Sequence, residues 1–244
     1  MKKIKFSLAG WLCRLLFPPR CLSCGALLEQ DGLCQRCAAG LSLVEEDACR
    51  FCGRGRDRCR CDYGKALLFE QAVNAYYYEG TGRVLLQKFK FHGNTACYDQ
   101  VLAQRFLART AQAYAGVPFD YIVPVPRHAK DHRFDQARYL AQSLSKQLGV
   151  RCRTDLLEKV RKILPQHRQN RENRGKNIKG AFAACKKQEL QGVCILLVDD
   201  VSTSFSTLNE CAMALKNAGA DRVLCACLMT AAGKNKKDQG DRHE

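Results

Sequence analysis

The chain has 244 residues, 46% of them hydrophobic, with 40 Lys or Arg against 24 Asp or Glu, which gives a formal net charge of +16. That length holds one substantial α/β domain and a small appended one, and no run reaches the roughly 18 apolar residues of a membrane span. The 16 cysteines suit a reducing, cytoplasmic interior and argue against an oxidising compartment, where so many thiols would mispair.

Residues 1–20 open with a basic Met1-Lys2-Lys3-Ile4-Lys5 and continue into an apolar stretch that imitates a signal peptide. Arg14 interrupts it, no small-residue cleavage pattern follows, and Leu8, Trp11, Leu12, Leu15 and Leu16 share one helical face, so an amphipathic helix is expected. Residues 21–66 carry Cys21-x2-Cys24, Cys34-x2-Cys37, Cys49-x2-Cys52 and Cys59-x-Cys61. Paired knuckles of this kind aim thiolates at one tetrahedral ion, and four sulfurs around a structural Zn²⁺ are the usual outcome. Cys21, Cys24, Cys34 and Cys37 form one site. The tighter Cys59-x-Cys61 spacing makes a second zinc on Cys49, Cys52, Cys59 and Cys61 the more demanding expectation. A disulfide framework is the competing reading. Few large apolar residues accompany these cysteines, so metal is expected to supply the folding energy of a double zinc-finger-like module. Two such ions on eight thiolates would lower the net charge to about +12.

Residues 67–232 alternate strand and helix signals. A β-prone run at 72–78 ends in a Glu79-Gly80-Thr81-Gly82 turn, and residues 83–91 read as a helix. Residues 121–126 form a short apolar strand ended by prolines, and Ala137, Leu140, Ala141, Leu144 and Leu148 form a helical stripe that stops at Gly149. Between them the basic Arg127-His128-Ala129-Lys130-Asp131-His132-Arg133 lies at a strand's carboxyl end; His128 and His132 could serve as acids or bases, though loop histidines are more often only solvated. Residues 151–179 hold ten Lys or Arg against three acids and read as a loop able to close over a diphosphate, or as a patch for nucleic-acid phosphates.

The apolar run at 193–198 suits a parallel strand buried on both faces. It leads to Asp199-Asp200 and a hydroxyl-rich turn, then to Leu208, Cys211, Ala212, Leu215 and Ala218 at helical spacing, a stop at Gly219, and a second apolar run at 223–229. Such a strand-helix-strand unit takes a right-handed crossover by default. Free amides at the helix N-terminus and the hydroxyls of Ser202, Thr203, Ser204, Ser206 and Thr207 favour a phosphate. Asp199 and Asp200 suit sugar hydroxyls, or a divalent cation bridging sugar and diphosphate oxygens. The plain alternative is that the two carboxylates end the strand and cap the helix. Cys194, Cys211, Cys225 and Cys227 read as small core hydrophobes, and residues 233–244 as a disordered, solvated tail.

Residues 195–207 resemble the ribose-phosphate loop of type I phosphoribosyltransferases: hydrophobic strand, Asp-Asp, hydrophobic, any, Thr, Thr, Gly, any, Thr. Asp199, Asp200, Val201, Thr203 and Thr207 match; Ser204 stands for the second Thr and Phe205 for the Gly. A ring there is expected to shade the phosphate cradle and to strain a left-handed backbone by about 1–2 kcal/mol. Taken in order, Pro18-Pro19-Arg20-Cys21, Tyr78-Glu79-Gly80, Lys90-Phe91-His92-Gly93, Val123-Pro124-Val125-Pro126, Phe134-Asp135-Gln136-Ala137, Gln166, Arg174, Asn177, Gly180-Ala181-Phe182 and the Asp199-Asp200 loop resemble the ComF family of competence proteins. That family joins a cysteine zinc module to a phosphoribosyltransferase-like domain, and its pattern reads Arg-Gly-Phe-Asn-Gln where this chain has His132-Arg133-Phe134-Asp135-Gln136.

The resemblance implies an α/β, type I phosphoribosyltransferase-like parallel sheet flanked by helices. It implies phosphoribosyl diphosphate at Asp199, Asp200, Ser202, Thr203, Ser204, Phe205, Ser206 and Thr207, with Mg²⁺ as companion ion. Arg127, Arg171, Arg174 and Lys176 are the cations expected at the diphosphate. It also implies a part in natural transformation, with incoming single-stranded DNA and other competence proteins as partners on the cytoplasmic side. Two classes stay open: a phosphoribosyl diphosphate-binding protein that does or does not catalyse transfer, and a non-enzymatic, zinc-containing single-strand DNA adaptor on the same scaffold.

Overall fold

The computed structural model describes residues 17–59, 61, 67–128, 131, 133–161 and 178–231. The helix expected at 1–20, apart from residues 17–20, the tail at 233–244, and His132, Arg171, Arg174 and Lys176 lie outside the described residues. The cysteine module contains one short helix, α1 (Gln35–Ala39). The larger unit runs β1 (Ala72–Tyr77), α2 (Gly80–His92), a π-helical turn (Cys97–Leu102), α3 (Ala103–Ala113), β2 (Tyr121–Pro124), α4 (Gln136–Leu148), β3 (Leu157–Lys159), β4 (Phe182–Ala184), a 3₁₀ turn (Lys187–Leu190), β5 (Cys194–Ser202), α5 (Ser206–Asn217) and β6 (Arg222–Thr230).

Four parallel strands form one sheet in the order β1-β6-β5-β2, and β3 pairs with β4 as a small antiparallel hairpin. Side chains alternate across a strand, so Ile195, Leu197, Val223, Cys225 and Cys227 pack with Leu208, Cys211, Ala212 and Leu215 of α5. Leu196, Val198, Leu224 and Ala226 turn the other way, against Leu86, Phe89, Phe106, Leu140 and Leu144 of α2, α3 and α4. Both faces are therefore covered, as the unbroken apolar run at 193–198 requires.

The chain leaves β2 into α4 on one face and β5 into α5 on the other. Where neighbouring parallel strands send their helices to opposite faces, a crevice opens at their carboxyl ends. Two boundaries differ from expectation at this end. Gly80, Thr81 and Gly82 open α2, with Glu79 at its N-cap, rather than forming a separate turn. Strand β5 continues through Asp199 and Asp200 to Ser202, because Cys227, Met229 and Thr230 of β6 extend the ladder opposite Asp199, Val201 and Ser202. The residue before α5 is Phe205, so neither carboxylate ends the strand or caps the helix.

The cysteine module is packed on the sheet. The Val44 amide donates to the Ala75 carbonyl at 3.1 Å and the Tyr77 amide to the Ser42 carbonyl at 3.0 Å, with Leu43 opposite Tyr76 in an antiparallel bridge. Lys88 of α2 donates to the carbonyls of Leu22 and Ser23 at 2.8 and 2.9 Å. Along β2, the Ile122 amide donates to the Arg151 carbonyl at 2.9 Å and the Ile122 carbonyl accepts from the Arg153 amide at 2.8 Å.

Candidate functional site

The eight cysteines gather in two sets, Cys21, Cys24, Cys34 and Cys37, and Cys49, Cys52, Cys59 and Cys61, each with its sulfurs within 4.8 Å of one another. The Cys24–Cys34 and Cys49–Cys61 sulfurs are 3.8 Å apart and the Cys52–Cys59 pair 3.7 Å. A tetrahedron of sulfurs about 2.3 Å from a zinc ion has edges of about 3.8 Å, whereas a disulfide needs about 2.05 Å. The Cys34 amide also donates to Cys21 Sγ at 3.4 Å, a contact that favours a thiolate. Both sets fit Zn²⁺, and four sulfurs per ion leave no position open for substrate, so the role they suit is structural.

A cleft of about 560 Å³ opens between the carboxyl ends of β2 and β5. Asp199, Asp200 and Thr207 line one side of it, and Val125, Pro126, Arg127, His128 and Asp131 the other, with Lys90, Lys159, Phe182, Arg133, Asp135, Gln136 and Ala137 also in the wall. Lys90 Nζ lies 2.6 Å from Asp200 Oδ2, while the Asp200 amide donates to Asp199 Oδ1 at 2.8 Å. Burial, reinforced by the adjacent Asp200 charge, pushes the Asp199 carboxyl up to about 8. Burial lowers the Lys159 ammonium from its usual range. The thiols of Cys211, Cys225 and Cys227 behind the pair are pushed well up by burial, which keeps them neutral core groups.

The loop after β2 is braced from within. Arg127 Nη1 donates to the Phe134 carbonyl at 2.6 Å, and Gln136 Nε2 donates to the Lys90 carbonyl at 2.8 Å, tying α4 to the end of α2. Asp135 accepts from the Arg138 amide at 3.0 Å, so it performs the helix-capping task that Asn would. Arg133 binds Asp131 through two contacts of 2.8 Å, and that guanidinium holds the Asp131 carboxyl well below the usual carboxylate range.

In the loop after β5 the hydroxyls divide. Ser202 is buried and donates to Asn74 Oδ1 at 2.8 Å, so its side chain belongs to the packing beneath the loop. Ser204 and Ser206 hydroxyls lie 2.9 Å apart, and Thr207 faces the cleft. Phe205 takes φ 61° and ψ 2°, the left-handed conformation expected at this position. Its ring does not shade the cradle: it is 8% exposed, packed 5.8 Å from the Phe69 ring, with the Arg54 guanidinium 4.9 Å over it. A buried cation–π contact of about 0.5–2 kcal/mol is comparable with the about 1–2 kcal/mol of left-handed strain. Phe205 offers α5 no side-chain cap. The amides of the first turn are thus available to an anion.

The Double zinc ribbon domain family matches residues 12–65, and the Phosphoribosyl transferase domain family matches residues 135–243. Competence protein F of Haemophilus influenzae is 30% identical over 221 residues, covering 84% of this chain and 93% of that protein. The chain belongs to the ComF family. Other members of similar reach are the DNA utilization protein YhgH of Salmonella typhi, 29% identical across 89% of this chain and 95% of its own, and Competence protein ComFC of Bacillus subtilis, 24% identical across 82% and 89%.

In this ComF chain the structure brings Asp199, Asp200, Thr207 and Arg127 to one cleft and turns Ser202 and Phe205 inward. Sequence reasoning missed Lys90 and Lys159 as members of the wall. Lys90 falls inside a ComF-like motif, Lys90-Phe91-His92-Gly93, which was a usable signal. Lys159 is carried by a three-residue strand with no pattern of its own. Among the described residues, no helix is long and apolar enough to cross a membrane.

Proposed function

We propose that this ComF protein binds phosphoribosyl diphosphate in the cleft between β2 and β5. The observation that carries the reading is the meeting of the Asp199-Asp200 pair with Arg127, Lys90 and Lys159 around one 560 Å³ space beside the uncapped start of α5. In this reading the 5′-phosphate takes the amides and hydroxyls at residues 204–207, and the carboxylates take the ribose hydroxyls. Arg127 and Lys159 meet the diphosphate, as do Arg171, Arg174 and Lys176. Asp199 and Asp200 are hard oxygen donors and would hold Mg²⁺, which neutralises diphosphate charge when bound. The names of its relatives support a role in DNA utilisation, and we place it in the handling of incoming single-stranded DNA at the cytoplasmic side.

Calorimetric titration of zinc-loaded protein with phosphoribosyl diphosphate and Mg²⁺ tests the reading. Saturable binding in the wild type, lost in the Asp199→Asn, Asp200→Asn double variant, is expected. Absence of heat from folded wild-type protein would overturn it. The non-enzymatic DNA adaptor is favoured by one observation, the net charge of +16, and is separated by its salt dependence.

A further inference from the structure

The second cysteine set and the loop after β5 share one buried polar network. Arg54 follows Cys52 by two residues and is 4% exposed. Its Nε donates to Thr230 Oγ1 at 3.0 Å, its Nη2 donates to the Thr203 carbonyl, and its guanidinium covers the Phe205 ring. A second path runs beside it. Asn74 Nδ2 donates to the Cys52 carbonyl at 2.8 Å and Asn74 Oδ1 accepts from Ser202 Oγ at 2.8 Å, while Thr230 Oγ1 donates to the Ser202 carbonyl at 3.2 Å.

These contacts fall on the residues that set the loop's shape. Thr203 and Phe205 flank Ser204 in the turn, and Phe205 is where a glycine would adopt φ 61° without strain. The guanidinium fixes the carbonyl before the turn and the ring at its left-handed residue at the same time. A planar fork that donates and stacks is what Arg supplies and Lys does not.

We propose that Arg54 is a positioning residue for the ribose-phosphate loop: it reaches from the second zinc knuckle and holds residues 203–205 in the form that presents the first-turn amides of α5. Its role at this ligand site rests on the phosphoribosyl diphosphate reading above. Its role in loop shape does not.

The test compares zinc-loaded wild type, Arg54→Lys, Arg54→Ala, Phe205→Gly and the Arg54→Ala, Phe205→Gly double variant, with metal content matched. Hydrogen exchange of residues 199–209 is read against α4 as an internal control, and phosphoribosyl diphosphate is titrated in parallel. Arg54→Ala is expected to speed loop exchange about tenfold or more while α4 is unchanged, with Arg54→Lys intermediate. Its ligand affinity is expected to fall about tenfold, but less than about threefold when glycine already occupies position 205. Unchanged loop exchange in Arg54→Ala, or faster exchange spread evenly over the sheet and α4, overturns the proposal. A loosened loop in a chain whose wild type binds no phosphoribosyl diphosphate upholds the positioning and overturns the ligand reading alone.

Discussion

Lys90 Nζ and Asp200 Oδ2 lie 2.6 Å apart across the mouth of the cleft, joining the last turn of α2 to the carboxyl end of β5. The Asp200 side chain is only 12% exposed, so it is poorly hydrated once its partner is removed. Lys90→Met is expected to destabilise the chain by about 1 kcal/mol, the lower end for leaving a carboxylate unpaired, since the lysine is partly solvated. Urea unfolding of Lys90→Met, Asp200→Asn and the double variant checks this. Strictly additive effects would show that the pair is not coupled.

Asp199 predicts a pH dependence. Its carboxyl is pushed up to about 8 in the folded chain. An unfolded carboxyl titrates near about 3.9, so between these values the folded state holds a proton that the unfolded state lacks, and stability falls as pH rises through that window. Asp199→Asn removes the slope. The variant is expected to exceed wild type by about 1 kcal/mol or more at pH about 8 and to lose that advantage near pH about 4, measured by urea unfolding. An equal pH profile in both proteins would refute the assignment.

Gly53 predicts where the second knuckle is most sensitive. It holds φ 64°, and a Cβ there would meet the Ala72 carbonyl oxygen and Asn74 Nδ2 at 2.5 Å. Gly25 in the first knuckle has φ 80° with open space around it. Gly53→Ala is expected to cost about 2 kcal/mol or more, from strain plus overpacking, and Gly25→Ala only about 1–2 kcal/mol from strain. Elemental analysis of the wild type should give two zinc ions per chain, one for each cysteine set. Equal melting shifts for the two variants would contradict the docking described for residues 52–54.

Single-strand DNA binding, where present, is expected to be electrostatic. Affinity should fall about tenfold or more between 50 and 200 mM salt if about three phosphates are contacted, since log K falls by about 0.7 per contact for each log unit of salt. Fluorescence anisotropy with a labelled oligonucleotide measures it. Salt-independent affinity would rule out phosphate contact as the basis of the adaptor reading.

The sheet was legible because its central strands are apolar runs, with β2 ending at Pro124 and the helices that follow stopping at Gly149 and Gly219, and the cysteine sets because their ligands pair at short spacing. The π-helical turn and α3 were not read, although Tyr98, Leu102 and Phe106 are fully buried there. The extension of β5 past Asp199 depends on its partner β6, which no local pattern reveals. The Phe205 ring turns to the core, against Phe69 and Arg54, both far away in the chain. Lys90 carries a motif signal in the sequence, but only packing sets it beside Asp200.

The two outer strands of the sheet are closed by different means. Residues 151–153 run beside β2 and belong to the same unit, whereas β1 is covered by residues 42–44, between the two cysteine sets. Stripping the metal is therefore expected to bare the backbone of a fully buried strand, Ala72–Tyr77, as a template for a second chain. Chelated protein should associate edge to edge before its sheet melts, which makes zinc a guard against aggregation as well as a folding ligand.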